Sequence, residues 1–130
     1  MKEPQRAVDG AIWAAISYCV DLRGEPTDFC VMPAAGGSDA SLVRRLRGMG
    51  ATEVGPSWME SAAKPKDFSY LEVGDFKWIT VRRAMVRIYM AAPFSSDPGH
   101  LTEANDTLYV DHVGHKWIID GRNSLIQTSG

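Results

Sequence analysis

The sequence predicts one α+β domain, with helices in the first half and an antiparallel sheet filling the second half. Three observations lead to this fold class: an apolar stripe with helical spacing near the start, a second short amphipathic segment after residue 38, and apolar residues that alternate along the chain beyond residue 68. The 130 residues suit a single domain, and 45% hydrophobic with 23% charged residues is an ordinary globular balance. We therefore expect residues 1–130 to fold as one unit.

The first half predicts two helices around a short strand. Pro4 suits the first turn of a helix and Gly24 its end. Between them, apolar residues recur at spacings of three and four and form one stripe: Val8, Ala11, Ile12, Ala15, Ile16, Cys19 and Val20. A short apolar run at 29–32 predicts a buried strand, and a second helix is expected from Ser38 or Asp39 to Gly48 or Gly50.

The second half of the sequence predicts strands. Alternation predicts them at 68–73, 76–81 and 84–92, with a weaker one at 52–54, and a last hairpin pairs 107–112 with 116–120. Gly74-Asp75 is predicted as a turn and 94–105 as a long loop. The tail after Arg122 is expected to fray, although Leu125-Ile126 could dock on the sheet.

Charge and cysteine content restrict the function classes. A formal net charge of -2 gives no basic field to recruit nucleic acid. The first residues lack the apolar core of a signal peptide, and no run approaches the ~18 apolar residues of a membrane span. Cys19 and Cys30 are read as two buried thiols in a reducing compartment and not as a disulfide framework. These observations favour a cytoplasmic protein.

Recognisable catalytic or metal-binding sets are missing. His112 and His115 share a hairpin with Asp111, but a metal site needs three or four converging ligands, so solvated histidines are the favoured interpretation. The loop at 36–39 is more typical of a helix cap than of an anion site, and the arginines at 44–47 and 82–87 are more typical of solvated surfaces. We expect no metal and no organic cofactor.

Aromatic residues are spread over the first helix and the predicted sheet. If a curved sheet wraps around that helix, some of them meet at a pocket with an apolar wall and a few polar groups. The predicted ligand-binding residues are Tyr18, Trp78, Tyr89, Tyr109, Asp111 and Trp117. Asp120 is a second candidate for the polar group, because a carboxylate in such a pocket could act as a general base. The alternative, in which the aromatic side chains form core and the aspartates face water, stays open.

The final hairpin, residues 108–120, reads Leu-Tyr-Val-Asp-His-Val-Gly-His-Lys-Trp-Ile-Ile-Asp. After a helix, a short strand, a second helix and a long antiparallel run, this ending resembles the closing strand pair of the nuclear-transport-factor-2-like (cystatin-like) superfamily. The resemblance covers mainly residues 68–122. It implies N-terminal helices on a curved antiparallel sheet that forms a cone-shaped barrel, a pocket against the first helix, and a homodimer through the open sheet face. The catalytic sets of the family's isomerases and hydrolases do not match this sequence residue by residue, so no catalytic role is implied.

Three functions follow from these expectations. The first is a cytoplasmic protein that binds a small apolar or aromatic ligand between the first helix and the curved sheet, with no nucleic-acid or membrane partner. The second is a protein-interaction or immunity-type partner that uses the sheet face. The third is a cofactor-free isomerase, cyclase or hydrolase.

Overall fold

A computed structural model describes residues 3–32, 40–60, 67–93 and 100–129, with the side chains of 3–7, 40–41 and 125–129 left aside. These residues form two α-helices, α1 (Glu3–Arg23) and α2 (Ala40–Gly48), and a short 3-10 helix (Trp58–Glu60). They also form six strands: β1 (Asp28–Val31), β2 (Thr52–Glu53), β3 (Tyr70–Trp78), β4 (Arg83–Pro93), β5 (Leu101–Val113) and β6 (Lys116–Ser129). The predicted cap at Ser38 or Asp39, and the predicted loop at 36–37, lie outside the described residues.

The six strands form one mixed sheet in the order β2-β1-β3-β4-β5-β6. The run β3 to β6 is an antiparallel meander, whereas β1 pairs in parallel with both β2 and β3. β1 and β2 are parallel because α2 connects them, and a helical crossover returns the chain in the same direction. The α+β class is thus confirmed. Within the described chain the sheet is not closed, since β2 and β6 are its edges, and a cone-shaped barrel is not confirmed.

The predicted apolar stripe of α1 is buried. Ala11, Ile12, Ala15, Ile16 and Cys19 all have no exposed surface, and they belong to one core cluster with the helix-facing side chains of the strands: Leu71, Val73, Ala84, Val86, Ile88, Leu108 and Val110. On β4 and β5 the even-numbered residues face α1, because successive side chains of a strand point to opposite faces. The core therefore lies between α1 and one face of the sheet.

The turn predicted at Gly74-Asp75 is wrong. The register of β3 against β4 shifts between Val73 and Asp75, so Gly74 is the extra residue of a β-bulge inside one continuous strand. The reversal comes later, where the backbone N–H groups of Ile79 and Thr80 donate to the Arg83 carbonyl at 2.8 and 3.1 Å. A glycine beside an aspartate marks either a turn or a bulge in a strand pattern. Here the cross-strand pairing with β4 selects the bulge.

The last two strands are longer than the sequence predicted. β5 begins at Leu101, inside the predicted loop, and β6 continues to Ser129, so the tail pairs with β5 where fraying was expected. Leu101 lies opposite Ser129, and the register is continuous except for a bulge at Asp120. Residues 94–99 of the predicted loop lie outside the described chain. The extended pairing gives the backbone of the tail hydrogen-bond partners that a frayed tail would find only in water.

The helix comes closest to the sheet at Gly10. A Cβ atom built on Gly10 would lie 2.4 Å from Nε1 and 2.7 Å from Cδ1 of Trp117, closer than such atoms pack. The indole cannot easily give way, because it stacks on His112 with ring centroids 4.5 Å apart. The small residue is therefore required where α1 crosses β6.

We predict that Gly10→Ala destabilises the protein. In a helix, alanine is more stable than glycine by roughly 1 kcal/mol. Overpacking against Trp117 costs about 1–3 kcal/mol, and we expect this cost to exceed the gain in helix propensity. Urea unfolding measures the difference. Gly48→Ala is the matched control, because nothing lies within 4 Å of a Cβ there. If Gly10→Ala were as stable as the wild type or more so, α1 would not pack on Trp117 as described.

Candidate functional site

A cavity lies at the C-terminal end of α1, between the helix and the sheet. Its volume is about 310 Å³, and its lining residues are Arg23, Ser69, Met90, Ala91, Ala92, Thr102 and Ala104. α1 ends at Arg23 because Gly24 takes a left-handed φ of 95°, whereas β4 and β5 continue past this point. Small side chains on the extended strands leave the space open. Its size is at the lower end of the ~300–1,000 Å³ typical of ligand pockets.

The strand register determines the apolar wall of this cavity. Met90 lies opposite Ala104, and Ala92 lies opposite Thr102. All four are even-numbered residues of β4 and β5 and therefore share the helix-facing side of the sheet. The wall therefore consists of paired strand backbone that carries one long, flexible side chain, Met90, and three short side chains.

Arg23, which lines the cavity, forms an ion pair with a buried carboxylate. Asp106 is 2% exposed and is the one buried charged residue in the described chain. Both terminal nitrogens of Arg23 donate to its carboxylate, and Nη2 of Arg23 also donates to Ser124 Oγ at 3.2 Å. A buried carboxylate without a partner would cost several kcal/mol. Arg23 therefore compensates Asp106 and joins the end of α1 to β5.

Cys19 completes the hydrogen bonding of this carboxylate. Its thiol donates to Asp106 Oδ2 at 3.5 Å. Burial, and then the negative charge of Asp106, raise the pKa of Cys19 to about 12. Burial also raises the pKa of Cys30, which is likewise a free, buried cysteine. The prediction of two buried thiols is confirmed, and Cys19 acts as a hydrogen-bond donor and not as a nucleophile.

The six residues predicted to bind a ligand do not meet in one pocket. Tyr18, Trp78 and Trp117 lie on the α1 side of the sheet, whereas Tyr89, Tyr109 and Asp111 lie on the opposite side. The reason is the two-residue period of β4 and β5, which sends their odd-numbered side chains away from the helix. None of the six lines the cavity beside Arg23.

The aromatic residues on the α1 side pack against neighbours. Trp117 lies between His112 and Trp78, whose ring centroid is 6.0 Å away. The Arg122 guanidinium lies over the ring of Tyr18 at 5.6 Å, and Nη1 of Arg122 donates to the Tyr18 hydroxyl at 3.5 Å. These contacts assign Tyr18 and Trp117 to the rim of the core.

The predicted polar groups of the last hairpin are paired with one arginine. Nη1 of Arg83 donates to Asp111 at 3.0 and 3.1 Å and to Asp120 at 2.6 Å. The same guanidinium lies over the Tyr109 ring at 5.1 Å. Hydrogen bonding from Arg83 holds the pKa of Asp120 below its usual value, which disfavours it as a general base near neutral pH.

Tyr89 belongs to a second apolar cluster, on the sheet face away from α1. Its ring meets Tyr70 at 6.1 Å, and Trp58 stacks on Tyr70 at 5.4 Å. The Tyr89 hydroxyl donates to Glu103 at 2.5 Å, and burial followed by this bond raises the pKa of Tyr89. The segment around the 3-10 helix thus covers part of this face.

A depression beside Tyr89 is smaller and more polar. It measures about 190 Å³, and its polar lining residues include Glu72, Asp75, Arg87, Asn105, Asp106 and Thr107. Nη1 of Arg87 lies 3.6 Å from a carboxylate oxygen of Asp75. Two larger depressions, of about 360 and 480 Å³, lie at the turns 78–83 and 111–114 but are more open to solvent. Because typical ligand pockets begin near ~300 Å³, the cavity beside Arg23 is the better candidate among the more enclosed spaces.

The sequence analysis did not single out Arg23, which lines the cavity, or its ion-pair partner Asp106. Asp106 falls in phase with Ala104, Leu108 and Val110, so continuing the alternation of β5 backwards would have placed it on the core side. The sequence does not single out Arg23, because arginine is common in the last turn of a helix, where its charge interacts favourably with the helix dipole.

Comparison of the chain with protein-family models, curated proteins and solved structures found no match. Among the residues that the structure describes, no three His, Cys, Asp or Glu side chains come together in a way that could hold a metal ion. In the same part of the chain, neither helix combines the length and the apolar character needed to cross a membrane.

We predict that Asp106→Ala lowers the free energy of unfolding by about 3 kcal/mol, because it leaves the Arg23 charge without its buried partner. A double-mutant cycle with Arg23→Ala, followed by urea unfolding, should give a coupling of about 2 kcal/mol. The control pair is Arg47 and Glu53, whose atoms are 3.0 Å apart with both side chains exposed. Its coupling should stay below ~1 kcal/mol. Equal coupling in both pairs would show that Asp106 is not buried as described.

Proposed function

We propose that this protein binds a small, largely apolar ligand in the cavity at the C-terminal end of α1. The observation that carries the proposal is the largely apolar space of about 310 Å³ lined by Arg23, whose guanidinium is fixed by its ion pair with the buried Asp106. An apolar wall with a few fixed polar groups is the usual composition of a ligand site. The site lies between the first helix and the sheet, although the residues that line it differ from the six that the sequence suggested.

The charges at the border indicate what kind of ligand fits. Asp106 already neutralises Arg23, so an anionic ligand would add an uncompensated charge beside an apolar wall. A neutral ligand that carries one hydrogen-bond acceptor, such as a ketone or an ether, meets no such cost. Arg23 can donate to that acceptor, since a guanidinium has five N–H groups and the pair with Asp106 and Ser124 uses three. The proposal is therefore a neutral, apolar molecule with a single polar end.

The wider resemblance belongs to the same proposal. A helix laid across a long antiparallel meander that ends in the 108–120 hairpin supports membership of the nuclear-transport-factor-2-like superfamily, with its cone-shaped sheet. Two free, buried thiols support a cytoplasmic location. Strand β6, which is 14 residues long and lies at an edge of the described sheet, supports a homodimer.

Binding of prodan, a neutral naphthyl ketone whose fluorescence reports its surroundings, tests the proposal. We expect saturable binding with a blue-shifted emission in the wild type. Ala92→Leu fills the cavity from its wall and should weaken binding about tenfold or more, because steric loss in a pocket is costly.

The matched control is Ala14→Leu, which places the same side chain at another half-buried alanine that does not line the cavity. Its affinity for prodan should equal that of the wild type, and circular dichroism checks that both variants fold. Absence of saturable binding, or equal binding by Ala92→Leu, would refute the proposal.

A further inference from the structure

Exposed apolar side chains concentrate at one end of the sheet. Six large apolar residues are exposed in the described chain, and four of them lie in or beside the two turns that close this end: Trp78, Ile79, Val81 and Val113. We call these the paired turns, residues 78–83 and 111–116. Val81 is 91% exposed, so its side chain contributes almost nothing to the fold. Clustering of this kind marks an interaction surface, whereas scattered exposed residues need no explanation.

The two turns form one unit. The backbone N–H of His112 donates to the Arg82 carbonyl at 2.7 Å, and β4 and β5 pair Arg83 with Asp111 directly behind it. The apolar side chains of both turns are therefore held side by side at the tip of the sheet. They border two shallow depressions of about 480 and 360 Å³, so the tip is an open, uneven apolar surface and not a closed pocket.

Positive charge surrounds the tip. Lys77, Arg82 and Lys116 are exposed, and none has a carboxylate within ion-pair distance among the described residues. Asp111 and Asp120 are the two acidic residues in the strand ends here, and both are bound to Arg83. The tip is therefore basic in a chain whose formal net charge is -2.

We propose that the paired turns dock on an anionic lipid surface. Valine and isoleucine at a protruding tip can enter the interface, tryptophan is favoured at the headgroup level, and Lys and Arg are attracted to anionic headgroups. An open apolar surface flanked by exposed basic residues suits a partner that is both deformable and anionic, and an anionic lipid surface has both properties. A second copy of the chain meeting tip to tip would bring like charges together. The sequence analysis expected no membrane partner because no apolar run is long enough to span a bilayer. Docking on a membrane surface does not require such a run.

Co-sedimentation with lipid vesicles tests this proposal in the full chain. The wild type should bind phosphatidylcholine vesicles that contain phosphatidylserine, bind pure phosphatidylcholine weakly, and be released by salt. Val81→Asp should weaken binding about tenfold or more, because a charge replaces an inserted apolar group. Arg82→Gln should weaken vesicle binding about fivefold, because one basic residue near an anionic surface contributes about that factor to the affinity.

Leu22→Asp is the matched control, because Leu22 is also an exposed apolar residue but lies on α1, outside the paired turns. It should bind vesicles like the wild type. No binding to the anionic vesicles, or equal binding by Val81→Asp and the wild type, would overturn the proposal. Retention on immobilised polyglutamate without vesicle binding would also overturn it, in favour of an acidic protein partner. Prodan binding by Val81→Asp should be unchanged, which separates this test from that of the cavity.

Discussion

The buried ion pair between Arg23 and Asp106 determines how the helix sits on the sheet. A carboxylate on the core side of β5 is tolerated only when a positive charge reaches it, and the last residue of α1 provides that charge. In the first half of the same helix, Gly10 allows close approach to Trp117. The apolar stripe between these two contacts is thereby held in register with the strands beneath it.

The two ends of the sheet differ because of this arrangement. α1 stops at Arg23 while β4 and β5 continue, so the helix does not cover the strands there and the apolar cavity remains. The opposite end closes with the paired turns, which carry exposed apolar side chains and lie beside exposed basic residues. The cavity and the tip lie at opposite ends of the sheet and share no residues, so the two proposed activities can be tested separately.

The helices and the core side of β4 were predictable because each depends on local periodicity. The stripe of α1 and the alternation of Val86, Ile88 and Met90 are strong patterns that tertiary contacts reinforce. Gly74 was misread because bulge and turn share the same local residue preferences, and only pairing with β4 separates them. The length of β6 was not predicted for a similar reason, because its C-terminal half is held in place by pairing with β5 and not by a local sequence pattern.

The candidate site was less predictable than the fold. The sequence suggested aromatic residues, but their position on alternate faces of β4 and β5 depends on a register that spans distant segments. Arg23 and Asp106 are 83 residues apart, and no local pattern links a helix end to a particular strand position. What could have been inferred is the phase of Asp106 with Leu108 and Val110, which placed a carboxylate on the core side and called for a partner.

Methyl NMR during titration with prodan tests most directly whether the space between the end of α1 and the sheet receives a neutral apolar ligand, because Met90, Ala92 and Ala104 each carry a methyl group in the wall. We expect saturable shifts at these three methyl groups, with those of Val81 and Val113 unchanged. Shifts confined to the paired turns, or no saturable shift in the cavity wall, would contradict this expectation.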